Sequence, residues 1–149
     1  MMLSFSDPLN VQCTEWLIPD LISLHFVHRI LCLFMVQELP ANSIVVLHAV
    51  AHNPTGCDPT KEQWKEMCDV LGKRGCTVMF DSAYQGFATG DCDADAFAPR
   101  YFRNEGKLKN LMLAQSFAKN MGLYGQRVGV VSVDCNGKVF WSFLDALSL

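Results

Sequence analysis

Apolar residues are spaced in two ways along this chain, and the change falls at residues 37–40. Upstream, residues 1–36 show neither strict alternation nor a clean helical stripe, and they are unusually apolar for an N-terminal segment. Downstream, short apolar runs alternate with helix-length segments. Residues 43–48 (SIVVLH), 76–81 (CTVMFD) and 110–115 (NLMLAQ) each suit a strand buried on both faces and bounded by turn residues. Between the first two runs, Trp64, Met67, Cys68 and Leu71 fall at i, i+3, i+4 and i+7, which predicts a helix. Asp58 suits its cap, Pro59 its first turn and Gly75 its stop. Between the second and third runs, Ala94, Phe97, Ala98 and Tyr101 repeat the spacing, and Pro99 among them implies a kink or a late helix start. A further apolar run, 128–133, follows the GLYGQ loop. The β-α-β-α-β order predicts an α/β fold with a parallel sheet and right-handed crossovers, in which a ligand sits beyond the carboxyl ends of the strands.

Composition narrows the class. The 149 residues fit one domain, and with half of them apolar and 18% charged, disorder and low-complexity classes fail. A net charge of −3 gives no general attraction for nucleic acid or for an anionic membrane, so any phosphate must be held by a local site. Seven cysteines at irregular spacing, with no CxxC pair, read as reduced thiols of an intracellular protein. Residues 21–36 contain His25, His28 and Arg29 and fall short of the roughly 18 uncharged residues a membrane helix needs. Asp7, Glu15 and Asp20 all precede Arg29, the first Lys or Arg, which argues against a secretory or organelle leader. The chain therefore reads as cytoplasmic rather than mitochondrial.

The residues just past each strand should face one crevice: Asn53 in HNPTG after the first, Asp81 and Tyr84 at the second, Ser116 and Lys119 after the third, and Arg127 before the next run. Singly they are ordinary: a cap, a packing tyrosine, a turn asparagine, a solvated lysine, an ion-pair arginine. Together they meet the demands of pyridoxal phosphate, which needs an amine to form a Schiff base, an acid at its ring nitrogen, donors to its ring oxygen and an anion site. Asp81 can serve the ring nitrogen, Tyr84 and Asn53 the ring oxygen, Ser116 and Arg127 the phosphate, and Lys119 the covalent attachment and the proton transfer at Cα. A zinc site is not expected. His48 and His52 are four apart and His25 and His28 three apart, but four-apart histidines share a face only on a helix, and here a strand ends between them.

The segments LHAVAHNPTGCDPTKEQW, FDSAYQGFATGD and QSFAKNMGLYGQRVG resemble the aspartate aminotransferases, within fold type I of the pyridoxal-phosphate enzymes. The resemblance covers residues 38–134, and it implies an incomplete piece of the large cofactor-binding domain, mainly parallel sheet with crossover helices. It also implies that Lys119 is the Schiff-base lysine, that Asp81 pairs with the ring nitrogen, and that Asn53 and Tyr84 contact the ring oxygen. Ser116 and Arg127 match phosphate-binding positions, and His48 matches a partner behind Asp81. The implied reaction passes an amino group between L-aspartate and 2-oxoglutarate in a homodimer. Residues 1–37 and 135–149 lie outside the resemblance, and the family's arginines for the substrate carboxylates have no counterpart in the chain. The expectation is thus a catalytically incomplete form. The alternative is a non-catalytic interaction subunit, or an aberrant gene product, that pairs with a full-length aminotransferase.

Overall fold

The computed structural model describes residues 11–12, 39–105, 108, 110–135 and 138–145. The apolar stretch 21–36, with the expectation that it does not span a membrane, lies outside the described residues.

The Trp64, Met67, Cys68 and Leu71 stripe forms α1 (Lys61–Lys73), and all four side chains are buried. Thr60, not Asp58, caps it. The Thr60 hydroxyl accepts from the Gln63 N–H at 3.3 Å, and the Gln63 side chain accepts from the Thr60 N–H at 2.7 Å. A hydroxyl adjacent to the first turn satisfies the open amides, and this frees the Asp58 carboxylate for the loop before it. Gly75 stops the helix as expected, at φ +68°, with its N–H on the Gly72 carbonyl and the Cys76 N–H on the Leu71 carbonyl.

The second helical segment divides at Ala96 into α2 (Cys92–Asp95) and α3 (Phe97–Glu105), which places Pro99 in the first turn of α3. The late start is as expected; the inward stripe is not. The division shifts the helical phase, so the buried residues are Asp95, Ala98 and Phe102, while Ala94 is exposed and Tyr101 half-buried.

The strands are β1 (Val11–Gln12), β2 (Ile44–His48), β3 (Thr77–Ser82), β4 (Asn110–Ser116), β5 (Val128–Cys135) and β6 (Lys138–Asp145). Among the described residues they form one six-stranded sheet in sequence order. β1 to β4 run parallel, with Leu47 opposite Phe80 and Phe80 opposite Leu113, so the three expected strands are parallel neighbours. β5 pairs antiparallel with β4 and β6 antiparallel with β5; β6 is not among the expected strands.

Among the described residues the core lies on one side of the sheet. Trp64, Phe80 and Phe102 meet edge to face, with ring centroids 5.0–5.9 Å apart, and Val45, Leu71, Val78, Ala98 and Leu111 pack around them. Each step from β2 to β3 to β4 moves in the same direction across the sheet, so right-handed crossovers put α1 and α3 on the same face. Burial in β3 alternates accordingly: Val78, Phe80 and Ser82 are buried, while Thr77, Met79 and Asp81 are only half-buried. Burial of each strand on both faces is therefore not what the described residues adopt.

Candidate active site

Parallel register gathers the site. His48 stands opposite Asp81 and Asp81 opposite Ala114, so the carboxyl ends of β2, β3 and β4 share one edge. The chain leaving β2 stays close, because the Ala49 N–H donates to the Asp81 carbonyl at 2.8 Å. It then turns through Ala51, at φ +51°, and the Asp58 carboxylate accepts from the Ala51 and His52 N–H groups at 2.7 and 2.9 Å. This tie holds Asn53 beside His48, whose Nδ1 accepts from the Asn53 N–H at 3.3 Å. The same turn brings the His48 and His52 rings to 4.6 Å, a proximity their sequence spacing conceals. Both Nδ1 atoms are engaged, His52 with the Thr55 hydroxyl at 2.7 Å, and no group of three or more metal-ligating side chains occurs among the described residues.

Past β3, Tyr84 opens a turn that closes through the Phe87 N–H on the Tyr84 carbonyl at 3.0 Å, with Gly86 at φ +92° inside it. Asp95 accepts from this loop through both carboxylate oxygens. Gly86 N–H at 2.7 Å and Ala88 N–H at 3.2 Å reach Oδ2, and Thr89 N–H at 3.2 Å and the Thr89 hydroxyl at 2.7 Å reach Oδ1. Past β4, Lys119 places its Nζ 3.8 Å from the centroid of the Tyr84 ring, a cation–π contact joining the two loops.

At this edge, on the face opposite α1 and α3, Asp81, Ser116 and Arg127 line an open pocket of about 240 Å³ together with Met79 and Ala114. Ser116 ends β4, and its hydroxyl accepts from the Ala118 N–H at 3.3 Å. Arg127 precedes β5 at φ +54°, a left-handed backbone that costs a non-glycine residue on the order of 1–3 kcal/mol. Gly129 faces Ser116, and a Cβ there would stand 2.7 Å from the Gln115 carbonyl oxygen, so the strands approach too closely for a side chain. The sequence candidates thus fall into three groups: Asp81, Ser116 and Arg127 in the pocket, Tyr84 with Lys119, and Asn53 with His48. Asp58 and Asp95, which tie the loops, were not among the sequence candidates. Asp95 carries no signal in the expected stripe of Ala94, Phe97, Ala98 and Tyr101, because it turns inward only with the phase shift at Ala96.

The profile of the family described as aminotransferase class I and II matches residues 35–148. The mitochondrial aspartate aminotransferase of Gallus gallus is 53% identical over 100 residues, covering 67% of this chain and 23% of its own length. That of Dictyostelium discoideum is 55% identical over 98 residues, 66% of this chain and 22% of its own. Among solved structures, the cytoplasmic aspartate aminotransferase of Saccharomyces cerevisiae superposes with a TM-score of 0.67 at 46% identity, covering 71% of this chain and 26% of that one. This chain therefore spans about a quarter of the length of the relatives it matches. An identity near one half over about 100 residues, together with a family profile matching residues 35–148, leaves one assignment: the chain belongs to the class I and II aminotransferases.

Proposed function

We propose that this chain carries the cofactor-holding core of an aspartate aminotransferase, which passes the amino group of L-aspartate to 2-oxoglutarate and yields oxaloacetate and L-glutamate. The observation that carries the reading is the pocket shared by Asp81, Ser116 and Arg127, at the sheet edge where Lys119 follows β4.

Class I aminotransferases use pyridoxal phosphate. The donor set fits that group: an amine, a carboxylate for a pyridinium nitrogen, and a hydroxyl with a guanidinium for a phosphate. Next to Lys119, the buried Asn120 Oδ1 has no hydrogen-bond partner among the described residues, which leaves an acceptor open to a donor beyond them. At about 240 Å³ the pocket is smaller than the roughly 300–1,000 Å³ of ordinary small-molecule sites, so the fit lies in the chemistry of the lining and not in its enclosure.

When bound, the cofactor supplies a conjugated ring that accepts the electron pair released at the substrate Cα. Lys119 would hold it through its amine and, once released by an incoming amino acid, carry the Cα proton. Asp81 would keep a proton on the ring nitrogen. His48, in register with Asp81 on the next strand, would orient that carboxylate. Asn53 and Tyr84 would donate to the ring oxygen. Arg127 would offer its planar fork to two phosphate oxygens and Ser116 its hydroxyl to a third. A second copy, or a longer aminotransferase chain, would cover the open face of the sheet.

The relatives' names include both mitochondrial and cytoplasmic proteins, which supports an intracellular setting; we place this chain in the cytoplasm. A second reading, a subunit that pairs with a complete aminotransferase without binding cofactor, draws on the sheet face around Met79, which no helix covers among the described residues. One experiment separates the two. The chain is incubated with pyridoxal phosphate, reduced with borohydride and mapped by peptide mass. Label concentrated on Lys119 is expected. Label spread over surface lysines such as Lys61 and Lys65, with none on Lys119, refutes cofactor binding and leaves the pairing subunit.

A further inference from the structure

Asp95 takes no part in the pocket, yet its carboxylate is the most heavily hydrogen-bonded side chain near the site. It is 4% exposed, sits at the end of α2, and accepts four hydrogen bonds from a loop six to nine residues upstream. Three of the donors are backbone N–H groups, which point at it only while Gly86, Ala88 and Thr89 keep their present conformation. Gly86 lies within the turn that Tyr84 opens, and at φ +92° it needs an anchor that favours this backbone over the many others open to glycine. Gln85 adds a lateral brace, donating to the Cys92 carbonyl at 2.9 Å and accepting from the Gln115 side chain at 2.5 Å. The Tyr84 ring therefore stands on a turn anchored from α2 and braced from β4.

We propose that Asp95 is a positioning residue: by fixing the Gly86 to Thr89 backbone, it holds the Tyr84 ring against the Lys119 amine. The geometry requires a carboxylate here. Two oxygens each accept two hydrogen bonds from converging donors, and an asparagine at the same place would present an NH₂ group to one pair of them. Burial alone would disfavour the charged form, but the Thr89, Gly86 and Ala88 hydrogen bonds outweigh it and keep the pKa below the ordinary carboxylate value. The consequence for chemistry rests on the function proposed above. A tyrosine that drifts from Lys119 loses its place as donor to the cofactor ring oxygen.

The test begins without cofactor. Protons held over an aromatic ring resonate upfield, so the Lys119 ε-methylene protons report the Tyr84 ring directly. The variant Tyr84→Leu sets the unshifted reference. Asp95→Asn is expected to lose more than half of the upfield displacement, Thr89→Val part of it, and Thr89→Ser to restore it. A folded Asp95→Asn protein with the full displacement overturns the proposal. Should Asp95→Asn not fold, an undiminished displacement in Thr89→Val overturns it equally. In protein loaded with pyridoxal phosphate, the pH midpoint of the visible absorbance is expected to rise in Asp95→Asn and in Tyr84→Phe, with no further rise in the double variant. An additive rise overturns the proposal, since it means that Asp95 acts independently of Tyr84. Failure to label Lys119 refutes the proposed function alone, because the methylene shift still decides the role of Asp95.

Discussion

A carboxylate that is 4% exposed, as Asp95 is, stays ionised only where hydrogen bonds replace its water. Its folded pKa lies below the unfolded value of about 3.9, so its contribution to stability is complete above that value and is lost as pH falls through the folded value. The thermal midpoint of the chain should therefore fall on acidification below about pH 4, and fall less in Asp95→Asn, which has no carboxyl to protonate. Circular-dichroism melts from neutral to acid pH check this, and parallel acid profiles for the two proteins would remove Asp95 as a source of the loss. The core thiols behave in the opposite sense. Burial, with Asp69 nearby, pushes the Cys68 thiol up to about 11, so it stays protonated at neutral pH and acts as a small apolar group.

Among the elements, the seam between β4 and β5 sets the pocket. Ser116 and Gly129 are register partners, and the Gln115 carbonyl lies where a Gly129 side chain would begin. Gly129→Ala must push the two strands apart, and because the obstacle is backbone, no rotamer change relieves it. We expect a loss of about 1–3 kcal/mol in urea unfolding, together with weaker phosphate binding as Ser116 moves away from Arg127. An unchanged unfolding midpoint would mean that the strands are not in such close contact. α1 contributes differently: its capping box and glycine stop make it a self-contained unit whose apolar stripe meets Phe80 from above.

For the molecule as far as its residues are described, α1 and α3 cover one face of the sheet and the pocket of Asp81, Ser116 and Arg127 opens on the other. Transamination needs the substrate carboxylates clamped so that the Cα–H bond stands at the correct angle to the ring, and the resemblance matches none of these 149 residues to the family's clamping arginines. Positioning of this kind supplies about 7–11 kcal/mol of barrier reduction. The 149-residue chain by itself should thus turn over aspartate many orders of magnitude more slowly than a complete aminotransferase, even with Lys119 labelled. A coupled oxaloacetate assay on the monodisperse chain measures it, and turnover within tenfold of a complete enzyme would contradict the expectation.

Short-range pattern carried much of this architecture. The apolar runs around Val46, Met79 and Met112, the Trp64 to Leu71 stripe and the Gly75 stop are set by neighbours a few residues apart, and periodicity reports such neighbours directly. Parallel order then implied a shared strand edge, which is why Asn53, Asp81, Tyr84, Ser116, Lys119 and Arg127 could be grouped before any coordinates. What periodicity could not reach depends on where distant parts of the chain meet. The choice of Thr60 over Asp58 as cap, the phase shift at Ala96 and the pairing of β6 each turn on competition among contacts that sequence spacing does not rank. The Asp58 and Asp95 ties close over loops whose shape exists only once the strands before them are in place. That α1 and α3 share one face of the sheet follows from the direction of successive crossovers, a property of the connected chain and of none of its segments.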